Sequence, residues 1–123
     1  MAKDILDIGY FKLARNVSKL STYKIKVGAV IANHKPISIG YNTDKSHPPS
    51  LKPTTHAEMK AILNAGSVES LRGRSIYVYR EFMSSNPAFA RPCIECLKVL
   101  KDVGIRKIYY SIDQPPYWKK ERI

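Results

Sequence analysis

With 123 residues, 44% of them hydrophobic and 10% aromatic, the chain is long enough to bury one core and too short to divide it between two. That composition suits a folded soluble protein, and no apolar run approaches the ~20 residues of a membrane span. Twenty-one Lys and Arg against ten Asp and Glu give a formal net charge of +11, an excess that favours phosphate-bearing partners.

The elements follow from periodicity. Leu6, Tyr10, Leu13, Val17 and Leu20 form a helical stripe, with Asp4 and Asp7 in its first turn. Lys26–Ala32 and Ile37–Tyr41 flank a short turn containing Pro36, which predicts a hairpin. The stretch from Thr43 to Pro53 carries Lys45, His47, Lys52 and paired prolines, Pro48 and Pro49, that stiffen it into a rim. His56 opens a second helical segment through Met59, Ile62 and Leu63 to Gly66, and Ile76–Tyr79 reads as a strand. Between that strand and Pro92 lies a long connection, Arg80 to Arg91, whose Phe82, Met83 and Phe89 either stack on a ligand or anchor the loop to the surface. Pro92 has the fixed φ of a helix start. Leu97, Leu100 and Val103 then recur at helical spacing, and Gly104 is a C-terminal stop.

A fourth strand runs to Ser111. Beyond Ile112 only eleven residues remain, too few for the crossover that a parallel fifth strand needs. A strand over Trp118–Ile123 must therefore run antiparallel to the fourth. The order is α-β-β-α-β-α-β in a single domain over 1–123, with the two later helices on one face of a sheet.

His56-Ala57-Glu58 and Pro92-Cys93-Ile94-Glu95-Cys96 carry the chemistry. One imidazole and two thiolates are three ligands of a tetrahedral zinc whose fourth position stays open to water. Zinc lowers the pKa of such water toward ~7. Glu58, two residues from His56, can move protons beside the metal without binding it. The two cysteines stand one helical turn apart on one face, in a first turn whose partial positive charge favours thiolate. Other readings exist for the same residues. Thr55-His56-Ala57-Glu58 also matches a capping box, Cys-x-x-Cys alone could be a redox pair, and Cys₂His with a fourth ligand could be a structural zinc site. Only the zinc-plus-carboxylate reading uses all four side chains. His-x-Glu followed by Pro-Cys-x-x-Cys is the signature of zinc-dependent nucleobase deaminases.

On these residues the chain is identified as a member of the cytidine deaminase-like superfamily, whose enzymes act on free nucleosides, deoxycytidylate, tRNA adenosine or polynucleotide cytidine. Val27–Ile31 resembles its first core strand, Ile37–Asn42 its second, Ile76–Tyr79 its third and Gly104–Ser111 the helix end and fourth strand. The resemblance implies a three-layer α/β fold: a mixed sheet of four to five strands, helices on both faces, and a zinc site at two helix N-termini. It implies Zn2+ held by His56, Cys93 and Cys96, with Glu58 as the catalytic proton shuttle. It implies substrate contacts from the Asn42 side chain and the Ala57 main-chain amide. Two features depart from the family pattern. Gly-Tyr-Asn-Thr stands where deoxycytidylate deaminases usually read Gly-Tyr-Asn-Gly, and many relatives pass almost directly from the third strand to Pro-Cys.

Between residues 10 and 57 the bases Lys12, Arg15, Lys19, Lys24, Lys26, Lys35, Lys45 and Lys52 face one acid, Asp44. No run of five like charges occurs, so a generally basic surface explains the same count. Arg80, Arg91 and Lys45 are the candidate phosphate contacts. The expected activity is hydrolytic deamination of cytosine in a CMP- or dCMP-type nucleotide, releasing ammonia. Single-stranded DNA or RNA is the alternative substrate, and a binding module with structural zinc is a third reading. The expected partners are that nucleotide and further copies of the chain, without a membrane. Two metal-spaced cysteines and no signal peptide before Asp4 fit a reducing, cytoplasmic setting.

Overall fold

The computed structural model describes residues 5–22, 24–43 and 56–123. Helix α1 spans Phe11–Ser18, strand β1 Val27–Ala32, β2 Pro36–Tyr41, helix α2 Ala57–Asn64 and β3 Ser75–Glu81. The two-residue β4, Pro87–Ala88, precedes helix α3 at Ile94–Asp102, β5 at Lys107–Ser111 and β6 at Trp118–Arg122. The strands form a mixed sheet in the order β2-β1-β3-β5-β6, with β4 paired to β3. Only β3 and β5 are parallel; β6 returns antiparallel to β5, as the short C-terminal segment requires. The five longer strands match the expected sheet, and β4 lies in the 80–91 segment that the sequence leaves as a loop.

Alternation along β3 assigns the layers. Ile76 and Val78 pack with Ala57, Ala61 and Leu100 of α2 and α3 on one face. Tyr79 packs with Phe11, Ala14 and Val17 of α1 on the other, where Tyr77 stacks on Tyr109 at 4.4 Å. The first helix is shorter than its stripe implies. Ile5 and Leu6 are helical, but Gly9 at φ +47° interrupts the stripe, so α1 runs only from Phe11, and Leu20 ends up exposed. In α2 the segment through Met59, Ile62 and Leu63 is helical as expected, with Ile62 packed at the edge of the core. Ala57, Glu58 and Ala61 turn inward, and Leu63 points to solvent.

Small residues on that face let α2 approach the sheet closely. A Cβ on Gly40 of β2 would lie 2.4 Å from the Ala61 nitrogen and 2.5 Å from the Ala57 oxygen. The Ser38 hydroxyl donates to the Ala61 carbonyl at 2.8 Å, tying helix to strand. On the opposite face, a Cβ on Gly28 of β1 would meet the Ala14 carbonyl of α1 at 2.1 Å. In both places the obstacle is backbone, so the helix itself has to move. Gly40→Ala and Gly28→Ala should each cost ~1–3 kcal/mol of stability through overpacking. Only Gly40→Ala should also lower kcat, because α2 carries His56 and Glu58. Denaturant melts and turnover on the two variants check this; equal losses of activity would show that the seating of α2 does not set the site.

Candidate metal centre and active site

Two helix starts meet at the carboxyl ends of the parallel strands β3 and β5. His56 is the N-cap of α2 and Cys93 the N-cap of α3, both extended, and neither cap makes a side-chain hydrogen bond to its helix. Pro92 thus stands one residue before the cap, not at the first helical position, while Gly104 takes φ +95° just past the end of α3 as expected. The capping box is not formed. With His56 at the cap, Glu58 is the second helical residue, one short of the position the box requires.

The ligand atoms of His56, Cys93 and Cys96 lie within 4.8 Å of one another. His56 Nδ1 is 3.3 Å from Cys96 Sγ and 3.9 Å from Cys93 Sγ. A tetrahedral zinc with bonds of ~2.1 Å to nitrogen and ~2.3 Å to sulfur separates such ligands by about 3.6 Å, and the observed pair brackets that value. The donor set therefore fits zinc, with Nδ1 as the histidine donor. Glu58 is not one of the clustered donors. It is only 6% exposed, and burial is the main cause that raises its pKa above the ordinary carboxylate value. A hydrogen bond at its own main-chain amide and the nearby His56 pull the other way.

A cavity of about 270 Å³ opens beside these groups. Its wall includes His56, Ala57, Glu58 and Cys93 of the metal centre together with Asn42, Arg80, Phe89 and Arg91. The structure thus brings together every expected site residue except Lys45, which lies outside the described residues, as do His47 and Lys52. Asn42 is buried and already bonded: its Oδ1 accepts from the Val27 amide at 2.8 Å and its Nδ2 donates to the Ile25 carbonyl. Each amide atom keeps capacity for one more bond. Phe89 packs edge-on against Tyr110 on the cavity side. Phe82 and Met83, by contrast, border a separate groove with Ser18 and Lys19.

Arg91 has a partner that its own neighbourhood in sequence does not reveal. Its Nε and Nη2 donate to the two oxygens of Glu121 on β6, at 2.6 and 3.1 Å, and the Tyr110 hydroxyl donates to the same carboxylate. The Arg91 and Tyr110 hydrogen bonds lower the Glu121 pKa to about 2. The carboxylate is favoured by folding, so any contribution of this exposed pair is present above the ordinary carboxylate range and fades only as pH falls toward 2. Ser111, fully buried, is the other residue the sequence hides. Its hydroxyl donates to the Ala88 carbonyl at 2.7 Å and accepts from the Arg80 amide at 3.1 Å, joining β5 to the 80–91 segment.

Comparison with known proteins agrees with this geometry. Residues 6–112 match the profile of the cytidine and deoxycytidylate deaminase zinc-binding region. The dCMP deaminase of cyanophage S-TIM5 in its apo form is a structural relative, with a TM-score of 0.66 and 27% identity over 94% of this chain and 88% of that one. The same enzyme in complex with dCMP and dUMP superposes with a TM-score of 0.65 at 24% identity over 89% and 83%. RibD of Acinetobacter baumannii shares the fold at a TM-score of 0.57 and 21% identity, covering 89% of this chain but 29% of that one. No curated protein matches the chain by sequence. Among the described residues no helix is long and apolar enough to cross a membrane. The chain belongs to the cytidine and deoxycytidylate deaminase family and is a zinc-dependent deaminase.

Proposed function

We propose that this chain, as one domain over 1–123, hydrolyses the exocyclic amine of cytosine in a CMP- or dCMP-type nucleotide, giving the uracil nucleotide and ammonia. The observation that carries the reading is the buried Glu58 carboxyl beside the His56-Cys93-Cys96 donor set, on the wall of a cavity that two arginines also line. A structural zinc site has no use for a carboxyl kept out of the ligand set at such a place. His56, Cys93 and Cys96 hold the metal, which when bound supplies an activated water at neutral pH.

The remaining roles belong to the chain. Glu58 accepts one proton from the attacking water and passes it to the ring nitrogen. It then takes the second proton from the same oxygen and delivers it to the departing amine, so that both water protons are accounted for. A carboxyl whose pKa is raised by burial is suited to both directions of transfer. The Ala57 amide and the spare capacity of Asn42 orient the base and sugar. The walls around Glu58 limit access of bulk water.

A panel of cytidine, CMP, dCMP, adenosine and single-stranded oligonucleotides, followed by ammonia release, tests the substrate class. Cytosine mononucleotides should give the highest kcat/KM. Salt separates the polynucleotide alternative, because affinity for a single strand falls with a log–log slope of about −0.7 per neutralised phosphate. The KM for dCMP should change little between low and moderate salt. Steeply salt-dependent deamination within oligonucleotides would favour the alternative.

A further inference from the structure

The two arginines on the cavity wall are not equivalent. Arg91 is held in place, since one edge of its guanidinium, Nε and Nη2, forms a bidentate pair with Glu121. Swinging it toward a ligand would leave that carboxylate unpaired. Arg80 differs. It pairs with Val27 of β1 and Ala88 of β4 in the sheet, and its main-chain amide donates to the Ser111 hydroxyl of β5. Its backbone is therefore fixed from three sides.

Alternation along β3 puts Arg80 on the face of Ile76 and Val78, the face that carries α2 and α3. Its neighbour Glu81 points to the other face and pairs with Arg15 at 2.9 Å. Among the described residues no carboxylate pairs with Arg80, a partly buried residue that lines the cavity with Val27 and Asn42. A fixed backbone and a guanidinium with no carboxylate partner among the described residues make a ready receptor for a planar or tetrahedral oxyanion.

We propose that Arg80 is the specificity-determining residue of this cavity, the cation that selects a cytosine substrate carrying a phosphate, while Glu121 withholds Arg91 from that role. The proposal rests on the deaminase reading above, and the experiment separates the two.

Equilibrium binding of dCMP and of deoxycytidine is measured by calorimetry on zinc-loaded Glu58→Gln protein, with and without Arg80→Ala. Binding is thereby read without turnover. The Glu58→Gln protein should bind dCMP more tightly than deoxycytidine. Arg80→Ala should weaken dCMP roughly 10- to 100-fold, the scale of one lost charge-assisted contact, and leave deoxycytidine within about twofold. Arg80→Lys, which keeps the charge but not the fork, should recover part of the difference and guards against a folding defect. Arg91→Ala should not discriminate between the two ligands.

Equal weakening of both ligands by Arg80→Ala, or selective loss of dCMP in Arg91→Ala, would overturn the assignment. Tighter binding of a single-stranded oligonucleotide that depends on Arg80 would overturn the choice of a free nucleotide. If wild-type protein turned over no cytosine nucleotide yet the phosphate-dependent binding held, the deaminase substrate reading would fail and the role of Arg80 would stand.

Discussion

Glu58→Gln should abolish most turnover while leaving zinc content and fold close to wild type. The substitution keeps the side chain's length and removes its ability to take a proton. General acid–base catalysis contributes roughly 10²–10⁴-fold, and Glu58 is asked to act in both directions, so a loss at or beyond the upper end is expected. A capping role would predict the opposite pattern, a stability loss of ~1 kcal/mol with activity kept. The geometry already argues against that role, because His56 is the cap and its helix carries no side-chain cap bond. Metal analysis, a thermal melt and turnover on the same preparation check the prediction together. A Glu58→Gln enzyme with near wild-type kcat would remove the carboxyl from the mechanism.

Cys96→Ser should have the largest effect on the protein itself. Cys96 is 3% exposed, its sulfur lies 3.3 Å from His56 Nδ1, and a bound metal would join α3 to the start of α2 through it. Metal binding to such a set is coupled to folding. Loss of the ligand should release zinc and lower the melting temperature markedly. Cys93→Ser should also lose zinc, with a smaller cost to the fold because Cys93 is exposed. Chelation of wild-type protein should reproduce the melting shift, and zinc should reverse it. Elemental analysis with parallel melts decides the matter; full zinc occupancy in Cys96→Ser would contradict the assigned ligand set.

Most of the site could be read from the chain because its residues are local in sequence and fixed by helix geometry. Cys93 and Cys96 share one helix turn, and His56 and Glu58 share another. Antiparallel β6 was legible for a negative reason: the segment after Ile112 is too short for a crossover. What the sequence hides is pairing across long separations. Glu121 reaches Arg91 from thirty residues away, and Ser111 reaches Arg80 from thirty-one. Neither Glu121 nor Ser111 sits in a motif. The fully buried face of α2 was not legible for another reason. Gly40 admits the helix backbone so closely that the small Ala57 and Ala61 are the fully buried residues, while Ile62 packs at the edge of the core and Leu63 is exposed. β4 is two residues long and leaves no periodicity to detect.

The central claim is that these residues replace an amine on cytosine with oxygen by way of zinc and Glu58. Mass spectrometry of dCMP incubated with zinc-loaded protein in ¹⁸O-labelled water tests it most directly. The account predicts conversion to dUMP carrying one ¹⁸O at the position of the lost amine, with equimolar ammonia, and no conversion by Glu58→Gln. Unchanged dCMP after exhaustive incubation of zinc-replete, folded protein, or equal conversion by Glu58→Gln, would contradict it.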